Sequence, residues 1–149
     1  MTSLDEFLVA GEAVLATAVP GPYLVESREQ GHHGILRLQR CDECSYLRYP
    51  PAGRCPECLS REWTWVDDSG AGSIWSFAVY HRAFTKPFAD LLPYNVALVE
   101  LDSGPRLITN VLDVEPDQLH VGARGVAAPV GLPGGGSLIY FTLAQEGTS

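Results

Sequence analysis

Four cysteines constrain this chain more than anything else in it. They stand as Cys41-x-x-Cys44 and Cys55-x-x-Cys58 and are its only cysteines. Two residues between paired cysteines let both sulfurs of a pair face one ion from a tight turn. Two such pairs supply four sulfurs at tetrahedral angles, the closed geometry of structural zinc. The gap between the pairs is long enough for a hairpin, and Tyr49-Pro50-Pro51-Ala52-Gly53 supplies a rigid turn within it. Iron in place of zinc, or free redox thiols, are the alternatives; disulfides are disfavoured because two pairs at this spacing coincide. With sulfur at all four positions no place is left for substrate or water, so the metal reads as structural and not catalytic.

Charge divides the chain in the same way. Its 149 residues carry a net charge of −8. Residues 28–61 hold six arginines (28, 37, 40, 48, 54 and 61) against Glu29, Asp42, Glu43 and Glu57, a net +2, so the rest carries −10. Four thiolates around Zn²⁺ carry a formal −2, and the arginines are read as stabilisers of that cluster. A field of −10 outside the ribbon repels polyanions, which counts against nucleic acid. With 46% hydrophobic and 19% charged residues the chain is not mostly disordered. Fifteen Gly and eleven Pro argue for many turns and against long helical bundles. Asp5 and Glu6 stand where a signal peptide would carry Lys or Arg. No uninterrupted apolar run of about 18 residues is present for a membrane span. The expectation is a cytoplasmic protein with no membrane partner.

The pattern along the chain predicts a mainly β protein with an N-terminal helical arm (1–38), a zinc ribbon (39–60), a five-stranded barrel domain (61–145) and a short tail (146–149). Helices are expected over residues 3–17, capped by Ser3 with Glu6, and from Pro22 to Gln30. Ile35, Leu36 and Leu38 lead as an extended segment into Cys41. Period-two alternation begins near Glu62 and continues through Ile74–Arg82, with Trp75, Phe77 and Val79 on one face. Asn95–Leu101, Ser103-Gly104-Pro105 and Arg106–Leu112 read as a hairpin. Further strands are expected near Leu119–Val121, through Val126–Val130, and over Ser137–Leu143, with a loop from Gly131 to Gly136. Short strands without a long helix between them suggest a small antiparallel barrel. Trp63, Trp65 and Trp75 are assigned to its core.

No catalytic set emerges from the sequence. The chain has no GxSxG elbow, phosphate loop or dinucleotide fingerprint, and its four histidines form no metal motif. The best ligand- or partner-facing patch is His81-Arg82 with Phe84 and Lys86, where the best strand gives way to a loop.

Gln39-Arg40-Cys41-x-x-Cys44, Tyr49-Pro50-Pro51, Cys55-Pro56-x-Cys58 and Ser60 resemble the DUF35 rubredoxin-like zinc-ribbon proteins. Ser69-Gly70-x-Gly72-x-Ile74, Ser76-Phe77, His81-Arg82, Pro93-Tyr94-x-Val96-Ala97-Leu98-Val99-Glu100-Leu101 and Val121-Gly122 resemble the OB-fold half of that family. The resemblance spans roughly residues 22–143. It implies an accessory subunit, not itself an enzyme, of a thiolase-superfamily acyl-CoA enzyme, with a steroid side-chain aldolase as one candidate. It further implies a hetero-oligomer with two copies of each chain, in which the ribbon docks on the thiolase-like subunit and the barrel lies near the acyl-CoA that it helps to enclose. The alternative is a nucleic-acid-binding zinc-ribbon and OB-fold protein. Relatives often place Gly directly after the second cysteine, where a knuckle wants φ > 0; here it is Ser45.

Overall fold

The computed structural model describes residues 36–82, 89, 91–131 and 137–144. Both expected helices of the arm, the tail, Phe84, Lys86 and most of the 131–136 loop lie outside the described residues, while residues 36–38 of the expected arm are strand. Within the described residues the regular elements are strands, with 3-10 residues at Ala89, Leu91 and Pro116–Gln118, and no helix is long and apolar enough to cross a membrane.

The first sheet has three strands, β1 (Leu36–Cys41), β2 (Leu47–Arg48) and β3 (Trp63–Asp68), in the order β2-β1-β3. Both pairings are antiparallel, with Gln39 opposite Arg48 and Leu38 opposite Val66. The segment Trp63–Asp68 alternates as the sequence predicts, but its partner is the ribbon strand β1 and not a barrel strand. Its two tryptophans are half-buried and pack edge to face, with ring centroids 4.9 Å apart.

The second sheet holds β4 (Ala71–Tyr80), β5 (Tyr94–Leu101), β6 (Arg106–Thr109), β7 (Arg124–Gly131) and β8 (Ser137–Leu143), in the order β6-β5-β4-β7-β8. Its neighbours are antiparallel. The two edges meet through a parallel bridge from Val111 to Phe141. There Phe141 N donates to Asn110 O (3.1 Å) and Leu112 N to Phe141 O (3.0 Å). That contact closes five short strands into a barrel and so covers edges that would otherwise be free.

The β3–β4 turn shows why glycine stands at position 70. Its φ is +77°, and a Cβ there would meet Ala127 O at 1.9 Å. The close approach is used: Ala127 N donates to Gly70 O at 2.8 Å, tying the turn to β7.

Inward residues of the barrel strands form the core: Ile74, Ala97, Val99, Leu107, Ala127 and Phe141 among them. Leu36 and Leu38 of β1 join the same cluster, so the ribbon is rooted in the barrel core. A smaller cluster gathers Leu91, Tyr94, Leu112 and Tyr140.

Two expectations are corrected here. Leu119–Val121 is not a strand; a 3-10 turn at Pro116–Gln118 precedes it, and Gly122 N donates to Ile74 O. Trp75 is not core. The register slips between Ile74 and Ser76, leaving Trp75 as the extra residue of a bulge and 49% exposed. A bulge reverses the alternation on one side of it, which simple period-two counting does not foresee.

Candidate metal centre

The two cysteine pairs occupy two copies of one backbone motif. In the first, Cys41 N donates to Tyr46 O and Ser45 N to Cys41 O, each at 2.9 Å. In the second, Cys55 N donates to Ser60 O at 2.8 Å and Leu59 N to Cys55 O at 2.9 Å. The residue after each second cysteine takes a left-handed conformation, Ser45 at φ +66° and Leu59 at φ +67°. The demand for positive φ that Ser45 meets without being glycine is therefore real, and the second knuckle makes the same demand of a leucine.

These turns bring all four Sγ atoms within 4.8 Å of one another. Cys41 and Cys58 are 3.5 Å apart, and Cys44 and Cys55 are 3.6 Å apart. Four sulfurs around zinc with bonds of about 2.3 Å would be separated by about 3.8 Å, so the cluster is already near the size of the ion's shell. Cys41 and Cys55 are buried while Cys44 and Cys58 face outward.

Backbone amides set the electrostatics. The amide of Cys44, with that of Glu43, faces the Cys41 sulfur and lowers its pKa to about 6 against the effect of burial. Burial raises Cys55, but the amides of Cys58 and Glu57 outweigh it and the net shift is downward. The outer pair goes the other way. The Tyr46 amide favours the Cys44 thiolate, yet burial and the neighbouring sulfurs push it up to about 12. Cys58 is likewise raised, its Ser60 amide outweighed by burial and by Cys41 and Cys55. The inner sulfurs are thus shifted toward the thiolate and the outer ones toward the thiol. A divalent cation held by four thiolates displaces their protons, which is the chemistry of a closed four-thiolate site.

Two of the ribbon's arginines, Arg37 and Arg48, are engaged away from the sulfurs. Arg48 is buried, but its Nε donates to Gln39 Oε1 (2.7 Å) and its Nη2 to Ala52 O (2.9 Å). Gln39 Oε1 also accepts from Ala52 N (2.8 Å), so this side-chain network holds the proline turn between the knuckles. Arg37 pairs with Asp67 across β1 and β3 at 3.0 Å. Backbone amides, and not these two arginines, face the inner sulfurs. Neither those amides nor the buried Gln39–Arg48 pair has a signal in residue type, although Gln39 and Arg48 face each other once the hairpin register is known.

Of the second predicted patch, His81 and Arg82 are exposed just past the end of β4. Phe84 and Lys86 are outside the described residues.

Comparison with known proteins follows the same division. Residues 28–64 match the family model described as ChsH2, rubredoxin-like zinc ribbon domain, and residues 65–127 match ChsH2, C-terminal OB-fold domain. The solved Ltp2-ChsH2(DUF35) aldolase contains a similar chain, 33% identical with a TM-score of 0.75, covering 86% of this chain and 99% of that one. A curated relative from Thermomonospora curvata, named Probable enoyl-CoA hydratase alpha subunit, is 42% identical over 87 residues, 58% of this chain and 27% of its own length. A DUF35 domain-containing scaffold protein of Methanocaldococcus jannaschii is 31% identical over 86 residues, 57% of this chain and 60% of its own. The benzoylsuccinyl-CoA thiolase subunit BbsA of Thauera aromatica is 27% identical over 90 residues, 60% of each chain. The chain thus spans between about a quarter and less than two thirds of these curated relatives.

Proposed function

This chain belongs to the DUF35 family, as a ChsH2-type zinc ribbon joined to an OB-fold, and from that premise we propose that it is a non-catalytic accessory subunit of a thiolase-superfamily acyl-CoA enzyme. The observation that carries the reading is the likeness to the DUF35 chain of a solved aldolase complex, which covers nearly the whole of that chain and both of its modules. Relatives named as a thiolase subunit and as a scaffold point the same way. Chemistry agrees with it. The one set of reactive groups gathered in the described residues is the four-cysteine cluster, and its sulfurs are all committed to the metal. Reaction chemistry then belongs to the partner chain, and this chain's contribution is to bind it and to help enclose the acyl thioester. A steroid side-chain thioester is the substrate proposed for the pair, in a cytoplasmic assembly with two copies of each chain. His81, Arg82, Phe84 and Lys86 are proposed to face the ligand or partner.

Co-expression with thiolase-superfamily subunits from the same host, followed by tagged pull-down, tests this. The expected result is a stoichiometric complex with one of them, colourless and containing one zinc per copy of this chain. If the chain stays alone with every candidate, or if it shifts an oligonucleotide in a salt-dependent way, the reading is wrong.

A further inference from the structure

Among the described residues Arg48 is the one charged side chain that is buried, at 4% exposure. Its hydrogen bonds go to neutral oxygens, Gln39 Oε1 and Ala52 O. The ion pairs of the described residues, Arg37–Asp67, Arg106–Glu100 and Arg124–Asp102, leave it out. Two donors of the Gln39–Arg48 pair, Arg48 Nη1 and Gln39 Nε2, are buried and meet no acceptor of the chain. A guanidinium taken out of water is strongly unfavourable unless an opposite charge balances it. Water would satisfy the free N–H groups without balancing that charge.

The four-cysteine centre can supply the balance. Gln39 and Cys41 are two residues apart on β1, so their side chains leave the same face of the strand, and Arg48 stands opposite Gln39 on β2. Leu47 and Tyr49, on either side of Arg48, pack against the barrel core instead. Two strand residues span about 7 Å, which sets the guanidinium within about 10 Å of the Cys41 sulfur without touching it. Between residues 41 and 60 the other buried residues are Cys41 and Cys55. Four thiolates around a dication carry a formal −2, so the buried negative charge nearest Arg48 is the loaded centre itself. At about 10 Å and an effective dielectric of about 20, one unit charge shifts an equilibrium that changes the centre by one charge roughly tenfold. The same side chains also set geometry. Arg48 Nη2 donates to Ala52 O and Gln39 Oε1 accepts from Ala52 N, which clamps both backbone groups of a residue three positions before Cys55.

We propose that Arg48 is the positioning residue of the second knuckle and the buried counter-charge of the metal centre, so that the ribbon favours the formal −2 state of a bound dication. The proposal rests on the four-cysteine centre and is independent of any partner subunit. Its test uses the full-length chain loaded with iron in place of zinc, because one-electron reduction takes iron and four thiolates from −1 to −2. Arg48→Met is expected to lower the midpoint potential by the equivalent of a tenfold shift, about 59 mV for one electron. It is also expected to weaken zinc binding at least tenfold in chelator competition. Arg48→Lys keeps the charge and loses the fork, so it should restore most of the potential while zinc binding stays weakened. If Arg48→Met fails to hold iron, Gln39→Glu decides. Its carboxylate still accepts from Arg48 Nε and Ala52 N but cancels the charge, and it should lower the potential in the same way. A wild-type potential in Arg48→Met, or in Gln39→Glu where that variant cannot be loaded, overturns the counter-charge whatever happens to zinc affinity. A potential as low in Arg48→Lys as in Arg48→Met traces the shift to geometry and overturns it also. Unaltered zinc affinity in Arg48→Met overturns the positioning role. A wild-type chain that binds neither metal removes the centre and this inference with it.

Discussion

The tip of the ribbon and the barrel both hold short strands together, by different means. Between residues 41 and 60 only Cys41, Arg48 and Cys55 are buried. The tip has almost no apolar core, and its shape comes from two repeated backbone turns, the Gln39–Arg48–Ala52 network and a cluster of sulfurs. The barrel does the reverse, with Ile74, Ala97, Val99, Leu107 and Phe141 closed around one another. A segment of about twenty residues cannot bury enough surface to fold alone, so a metal takes over the role of the core. Strand β1 joins the two regimes: Leu36 and Leu38 point into the barrel core, and Cys41 at its end is a metal ligand.

The largest expected effect comes from breaking the metal side of this contrast. Structural zinc contributes on the order of 10 kcal/mol to the folding of small four-ligand modules. Cys41→Ser or Cys55→Ser should therefore lose zinc and with it hydrogen-exchange protection across residues 41–60. Protection of β4–β8 should survive, because the tip reaches their core only through the partly buried Leu47 and Tyr49. Full zinc content in either variant would contradict the four-cysteine assignment. Collapse of the barrel along with the tip would show that the two are one cooperative unit.

Core truncations give a smaller and opposite pattern. Phe141 is fully buried at the point where the barrel closes, so Phe141→Ala should cost about 3–5 kcal/mol in chemical denaturation. Leu38 is equally buried but lies on β1, and Leu38→Ala should cost about 2–5 kcal/mol. The sharper measurement is zinc retention at denaturant levels just below the transition. Leu38→Ala should loosen metal and barrel together, whereas Phe141→Ala should leave the metal bound until the barrel melts. Identical metal release curves for the two variants would mean that β1 does not couple the regions.

How much of this could be read from residues alone differs between the same two regions. The ribbon's ligands, its proline turn and the extended lead-in to Cys41 follow from spacing, because metal geometry permits few arrangements. Most of the barrel was legible too: the Tyr94–Leu101 and Arg106–Thr109 hairpin and the Ser137–Leu143 strand fall where alternation and turn residues place them. What escaped depends on tertiary pairing. Trp75 was assigned to the core because alternation was carried unbroken through a bulge. Leu119–Val121 is apolar enough for a strand, but the Glu115–Gln118 capping box turns the chain just before it. The amides that face the sulfurs escape as well, because backbone amides have no letter in a sequence. Trp75 and Arg106, which stack at 4.2 Å, sit about thirty residues apart in the sequence and meet only through the β4–β5–β6 order.

The smallest effect concerns strain, and it sharpens the contrast most finely. Among the described residues three non-glycine positions have positive φ: Ser45 and Leu59 in the ribbon, and Asp113 in the barrel. An aspartate tolerates that conformation through local hydrogen bonding; serine and especially leucine do so at a cost of about 1 kcal/mol. In the barrel any such cost would be set against a large buried core. In the ribbon it is set chiefly against metal binding, because tip folding and metal binding are one event. Ser45→Gly removes the strain and keeps the Ser45 N to Cys41 O bond, since that bond uses only backbone. Glycine also gives the unfolded chain more freedom, which offsets part of the gain. The net should be about 0.5 kcal/mol, or zinc affinity raised roughly twofold in chelator competition. The Leu59→Gly variant should behave alike, because its side chain is 64% exposed and gives up little packing. A gain in barrel stability without any gain in zinc affinity would place the strain outside the metal-coupled unit and erase the distinction between the two regions.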